Sequence, residues 1–246
     1  MEARTDRGQL VKKLVSWIRD RVTSAGCRGT VIGMSGGIDS AVAAVLCQRA
    51  FPENTLGVLM PCYSIPQDEE HARMAASKFS IPTRTVVLDS VYDALGEVLP
   101  DEAAELDVVH TARSNLKVRL RMLTLYYFAN QLRYLVVGSS NRSELTTGYF
   151  TKYGDGGVDI APLGNLVKGQ VRDVATFLGI PQEIIDKPPS AGLWPGQTDE
   201  TELGLSYDEL DCYLLTGKAR DEVRERIEMM MAGSNHKRLT PALPDF

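Results

Sequence analysis

Four short, β-branched runs alternate with helix-length segments along the chain, and few folds satisfy that alternation. The runs are "GTVIGMS", "NTLGVLMP", "IPTRTVVLD" and "YLVVGSS". "IDSAVAAVLCQRA" and "QDEEHARMAASKFS" separate the first three, and "SNLKVRLRMLTLYYFANQLR" precedes the fourth. Each run is short, apolar and closed by Gly, Pro or small polar residues, which reads as a buried strand. Strands joined through helices of this length pair in parallel with right-handed crossovers, so the expected fold is α/β, a doubly wound parallel sheet with helices on both faces. Leu10, Leu14, Trp17 and Ile18 recur at helical spacing and predict a further helix over residues 6–24. Residues 91–112 read as a helix and a connection, and "KGQVRDVATFLGI" as a helix stopped by Pro181. Two more helices are expected at 206–216 and 219–232. "TKYGDGGVDIAPLG" has four glycines in fourteen residues and reads as loop; "KPPSAGLWPGQTDETELG" reads as a mobile loop.

No repeat and no linker divides the 246 residues, so one domain spanning 1–246 is expected. The net charge of −5 opposes a nucleic-acid partner, which calls for clustered Lys and Arg. Cys27, Cys47, Cys62 and Cys212 are widely spaced with no CxxC pair, which suits a reducing compartment rather than a zinc site or disulfide framework. The N-terminus lacks a signal-peptide core, and no apolar run approaches the roughly 20 residues that span a bilayer. A cytoplasmic protein with no membrane partner is expected.

The first strand runs into "SGGIDS", residues 35–40. Consecutive glycines let the backbone turn with its amides outward, and the following helix adds free N–H groups and the positive end of its dipole. Ser35 and Ser40 can donate hydroxyls to phosphate oxygens, and Asp39 offers a carboxylate suited to Mg²⁺. A plain turn with a helix cap is the competing reading. Neither common nucleotide loop fits: there is no Lys after a final Gly, and no GxGxxG.

The loop resembles the SGGxDS signature of PP-loop ATP pyrophosphatases, which split ATP between its α and β phosphates. With "NLKVRLRM", "VVGSSNRSEL", "GYFTKYGDGGVDIAPLG", "KGQVRDVA", "KPPSAGLWPGQTDETELG" and "YDELD" following in order, residues 30–240 resemble the ammonia-dependent NAD⁺ synthetases. The resemblance implies a Rossmann-like homodimer with its substrate site near the interface. It also implies a C–N ligase: deamido-NAD⁺, ATP and ammonia give NAD⁺, AMP and diphosphate through an adenylated intermediate, with Mg²⁺ as cofactor. A separate glutaminase domain is not expected, so the nitrogen arrives as free ammonia or from another protein. Two alternatives stay open at this point: another PP-loop enzyme amidating a different carbonyl, and a non-catalytic adenine-nucleotide sensor.

Carried onto this chain, the resemblance puts ATP on Gly33, Met34, Ser35, Gly36, Gly37, Ile38, Asp39, Ser40, Met60, Gln67, Arg119, Ser139, Lys168 and Ser190. Asp39 and Lys168 are the implied catalytic residues, and Asp39 with Glu144 the implied metal ligands. Deamido-NAD⁺ is implied at Asn115, Arg119, Tyr149, Lys152, Asp155, Asp159, His236 and Lys237. Arg121 lies about 200° around the helix from Arg119, so only one of the two can face a given site.

Overall fold

The computed structural model of the chain describes residues 6–100, 102, 105–194 and 196–244. Its strands are β1 (Gly29–Gly33), β2 (Thr55–Leu59), β3 (Thr83–Thr85) and β4 (Tyr134–Val137), all parallel, in the order β3-β2-β1-β4. The helices are α1 (Arg7–Ser24), α2 (Ile38–Ala50), α3 (Pro66–Lys78), α4 (Asp89–Val98), α5 (Leu106–Leu132) and α6 (Arg142–Thr147). They continue with α7 (Lys168–Leu178), α8 (Gln182–Ile185), α9 (Asp199–Leu203), α10 (Tyr207–Thr216) and α11 (Asp221–Gly233).

Both faces of the sheet are covered, as the continuous apolar strands require. On one face α1, α2, α3 and α7 pack through Ile18, Val22, Val42, Leu46, Ala75, Val171 and Val174. α2 is buried from Ala41 through Cys47, and its alanines bring it close to its neighbours. On the other face Leu120, Leu125 and Ala129 of α5 meet Val31, Val58 and Val136. A smaller cluster, built on Leu203, Tyr207, Leu210, Val223 and Ile227, ties α9, α10 and α11 together.

Two crossovers carry the chain from β1 through α2 to β2, and through α3 to β3. It then returns along α5, on the opposite face, to β4 beside β1. The winding therefore changes direction between β1 and β4, and a crevice opens at their C-terminal ends, where ligands of such sheets sit.

Several boundaries differ from the sequence reading. α5 begins at Leu106 rather than Ser114, and β3 keeps only three residues of its apolar run. α7 ends at Leu178 on Gly179, which adopts φ 79°, before Pro181 is reached. Pro181 instead caps α8, which the sequence did not suggest. The segment read as a mobile loop contains α9 and is tied to α3 and α5, as described below.

Candidate active site

The turn after β1 depends on its first glycine. Gly36 has φ 79°, and a Cβ there would overlap the backbone carbonyl of Asp68 at the start of α3. Gly37 then caps α2 without a side chain in the way. Ser35 Oγ accepts the Gly37 N–H at 3.3 Å and donates to Ser40 Oγ at 3.1 Å, and Ser40 Oγ donates to the Gly37 carbonyl at 2.9 Å. The result is a rigid turn at the N-terminus of a 13-residue helix, which suits an anion.

Asp39, in the first turn of α2, meets two later parts of the chain. Lys168, the first residue of α7, donates to Asp39 Oδ2 at 2.6 Å and to Glu144 Oε1 at 3.2 Å, with its side chain only 3% exposed. Asn141 Nδ2 donates to Asp39 Oδ1 at 2.9 Å. Asn141 also caps α6 reciprocally: its side chain takes the Glu144 N–H, and Glu144 Oε2 takes the Asn141 N–H. Lys168 is itself positioned from α10, where Asp211 accepts from Gly169 N at 2.7 Å and Ser143 Oγ at 2.6 Å. The Lys168 ammonium lies 4.9 Å from the centre of the Tyr207 ring.

Charge explains the protonation of this group. Burial pushes the Glu144 carboxyl up to about 7, against the pull of Lys168 and with a further push from Asp39. Burial alone would lower Lys168, but the Asp39 and Glu144 carboxylates outweigh it and hold the amine above its ordinary range. Two carboxylates against one ammonium leave the pocket short of positive charge. Their oxygens are hard donors of the kind Mg²⁺ takes together with phosphate, so the donor set fits that ion.

Around this group opens a cleft of about 840 Å³. Its walls include Gly33, Met34, Ser35, Gly37, Ile38, Asp39, Ser40, Met60, Gln67, Ser139, Glu144, Lys168 and Ser190 from the expected ATP and metal set. Of the expected substrate set, Asn115, Tyr149, Asp155 and Lys237 line it. Asn115 Oδ1 accepts from Thr151 Oγ1 at 2.6 Å, Asp155 Oδ1 takes the Thr151 N–H at 2.8 Å, and Lys237 donates to the carbonyls of Gly148 and Phe150. These bonds hold the 148–155 loop as one cleft wall.

Five expected residues lie elsewhere. Gly36 is buried against α3, and its contribution is the turn itself. Arg119 is exposed on α5 and donates to the Lys152 carbonyl at 3.3 Å, away from the phosphate loop; Arg121 lines the cleft instead, donating to Met60 O and Ser64 Oγ. The helix phase against the sheet decides between the two arginines. Lys152 and His236 meet outside the cleft, where the Lys152 ammonium donates to the His236 carbonyl. Asp159 braces the fold: Oδ2 takes the Val136 N–H of β4 at 2.8 Å and Oδ1 the Tyr126 hydroxyl at 3.0 Å.

The remaining wall comes from residues 187–194 and 196–199. Lys187 pairs with Asp68, Lys117 donates to the Leu193 carbonyl at 3.3 Å, and Trp194 stacks edge-on to His110 at 4.7 Å. Sequence reasoning missed four polar residues that brace the Asp39–Lys168 group and this wall: Asn141, Asp199, Tyr207 and Asp211. Two left a local signal. Asn141 three residues before Glu144 is a capping box, and Thr198 before an acidic stretch is a helix start.

The family profile described as NAD synthase matches residues 10–241. The chain belongs to the NAD synthase family. It is 49% identical over 233 residues to the NH(3)-dependent NAD(+) synthetase of Carboxydothermus hydrogenoformans, covering 95% of this chain and 96% of that one. Among solved structures, NMN synthetase from Francisella tularensis matches with a TM-score of 0.91 and 37% identity, covering 98% and 99% of the two chains. The NH3-dependent NAD synthetase of Campylobacter jejuni matches at 0.80 and 28%, covering 98% and 100%.

Proposed function

We propose that the protein is an ammonia-dependent NAD⁺ synthetase, a ligase that amidates deamido-NAD⁺ at the expense of ATP and yields NAD⁺, AMP and diphosphate. The observation that carries this reading is the buried Lys168, held between Asp39 of the phosphate turn and Glu144 of α6 where β1 and β4 diverge. A nicotinate carboxylate is a poor electrophile. Its oxygen attacks the α-phosphate of ATP and diphosphate departs; ammonia then attacks the acyl carbon of the adenylate, forming the amide C–N bond as AMP leaves and the nitrogen loses a proton.

The turn from Ser35 to Ser40 holds the departing diphosphate through its amides, two hydroxyls and the helix dipole of α2. The Lys168 ammonium neutralises charge as it develops, fixed in advance by Asp39, Glu144 and the Tyr207 ring. Asp39 and Glu144 would hold Mg²⁺, which draws charge from the phosphates when bound. Tyr149, Phe150 and Asp155 offer an aromatic and acidic wall to the nicotinate end, and Ser190 and Gln67 stand at the ATP mouth. Residues 187–199 exclude water from the adenylate.

Deamido-NAD⁺ carries a second nucleoside, and Arg119, Lys152 and His236 supply contacts for it beyond the cleft. A homodimer packed on the outer face of α5, where Leu106, Val108, Leu123 and Tyr127 are exposed, would bring those residues to an interface. One NAD synthase domain accounts for the chain, and the cytoplasm is its compartment; no helix among the described residues is long and apolar enough to cross a membrane.

The test incubates purified protein with ATP, Mg²⁺, deamido-NAD⁺ and ammonium. NAD⁺ and diphosphate are expected in equal amounts; ADP with phosphate, or no NAD⁺, refutes the reading. A second reading is favoured by the 0.91 TM-score to an NMN synthetase: the same chemistry on the deamido form of NMN, which needs no contacts beyond the cleft. Offering both acids in competition decides between them.

A further inference from the structure

Asp211 stands in the middle of α10, buried with 7% of its surface exposed, and does not line the cleft. A carboxylate taken out of water needs strong donors to offset what it has lost. Its Oδ2 takes the Gly169 N–H at 2.7 Å and its Oδ1 the Ser143 hydroxyl at 2.6 Å, and Ser143 Oγ in turn accepts the Lys168 N–H at 3.2 Å. All three partners lie in first turns. Ser143 is the second residue of α6, and Lys168 and Gly169 are the first two of α7, where backbone N–H groups have no acceptor within their own helix.

Gly169 carries a further sign of this contact. Glycine weakens a helix, yet one opens α7; a Cβ at that position would lie 3.3 Å from Asp211 Oδ2, so the missing side chain lets the carboxylate come against the helix.

The same two turns carry the buried cation and one of its carboxylates. Glu144 follows Ser143 directly, and Lys168 precedes Gly169. The reciprocal cap at Asn141 ties α6 only to itself, and Asp39 holds the tip of Lys168 from α2. The Arg142 N–H reaches the Leu166 carbonyl at 2.7 Å, but that bond fixes the chain before α7 begins. Asp211 joins the first turns themselves, so a shift at this point changes the distance from Lys168 to Glu144 directly.

Building on the ligase reading above, we propose that Asp211 is a positioning residue of the activation step: through Ser143 and Gly169 it holds the Lys168 ammonium in register with Glu144 and the phosphate turn, and so sets the rate at which diphosphate departs. It touches no substrate. Charge on the leaving diphosphate grows toward the transition state, so misplacing the cation slows the step more than it weakens binding.

Asp211→Ala removes both acceptors. Asp211→Asn keeps an oxygen for the Gly169 N–H and an amide that can donate to Ser143 Oγ, so it preserves the connection without the charge. The decisive readout is a single turnover of the full-length protein, in excess over deamido-NAD⁺, with ATP and Mg²⁺ and no ammonium. Its first-order rate constant for diphosphate formation does not depend on what fraction of the sample is folded. Asp211→Ala is expected to lower that constant about tenfold or more, as a small displacement of a catalytic group implies. Steady-state KM values for ATP and deamido-NAD⁺ should stay within about twofold. Asp211→Asn should return the constant to within about threefold of the unaltered protein, and Ser143→Ala, which leaves Gly169 held, should fall between the two.

A rate constant for Asp211→Ala within about twofold of the unaltered protein, an Asn variant as slow as the Ala variant, or a rise in either KM in place of the loss in rate would overturn the assignment. Should Asp211→Ala not fold, Ser143→Ala at the unaltered rate would overturn it equally. If the unaltered protein forms no diphosphate from ATP and deamido-NAD⁺, the ligase reading falls, and this assignment with it.

Discussion

Replacing Lys168 with Met keeps the apolar stem of the side chain and deletes the ammonium that lies 2.6 Å from Asp39 and 3.2 Å from Glu144. Two carboxylates then face each other in a pocket where the lysine had been 3% exposed. Breaking a buried pair from one side costs about 3–5 kcal/mol, because the remaining charge is left without compensation. Glu144 makes the loss depend on pH. Its carboxyl titrates at about 7 in the folded chain against an ordinary 4.5, a difference of roughly 3 kcal/mol. Between those values the folded state binds more protons than the unfolded one, so stability falls as pH rises through that window. Without Lys168 the folded value moves higher still and the window widens upward. Urea unfolding in the presence of EDTA, at about pH 5.5 and about pH 8.5, is the assay. The deficit of Lys168→Met should be near 3–5 kcal/mol at the higher pH and clearly smaller at the lower. A deficit below about 1 kcal/mol at the higher pH, or one of the same size at both, refutes the electrostatic account.

Three other perturbations test separate parts of the structure. Gly36→Ala puts a methyl group into the Asp68 carbonyl and a side chain at φ 79°; it should cost at least about 2 kcal/mol by denaturant titration and abolish diphosphate exchange. Asp159→Ala removes the acceptor of the Val136 N–H and should lower stability by about 1–3 kcal/mol; a change in substrate KM with stability intact would return Asp159 to the binding site. Lys187→Ala frees residues 187–199 from Asp68, and is expected to raise the KM for ATP several-fold with little change in melting temperature, measured by steady-state kinetics and calorimetry.

What the sequence makes legible is chemistry that acts over a few residues. The buried strands, α2 and the phosphate turn can each be recognised within ten positions, since the glycines, the cap and the apolar run impose their geometry locally. The choice between Arg119 and Arg121 is different: it depends on how α5 is rotated against a sheet whose other strands lie up to a hundred residues away. Residues 187–199 read as unstructured because their restraints, from His110, Lys117 and Asp68, leave no trace in local composition. Asp159 looks like a loop acid until β4 is seen to lack a partner for the Val136 N–H. Asp199 carries no local signal of a role, because its partner Tyr207 meets it only once α9 and α10 are packed together.

The contacts that fix Lys168 span 129 residues to Asp39 and 42 from Gly169 to Asp211. A polypeptide emerging from the ribosome thus completes its phosphate turn long before the lysine is anchored. Any fragment that stops short of α10 would carry the cradle without a fixed cation, able to engage nucleotide but poorly equipped to turn it over. Cleavage in the 187–199 segment, with both pieces still associated, would separate capture of ATP from its consumption in the same way.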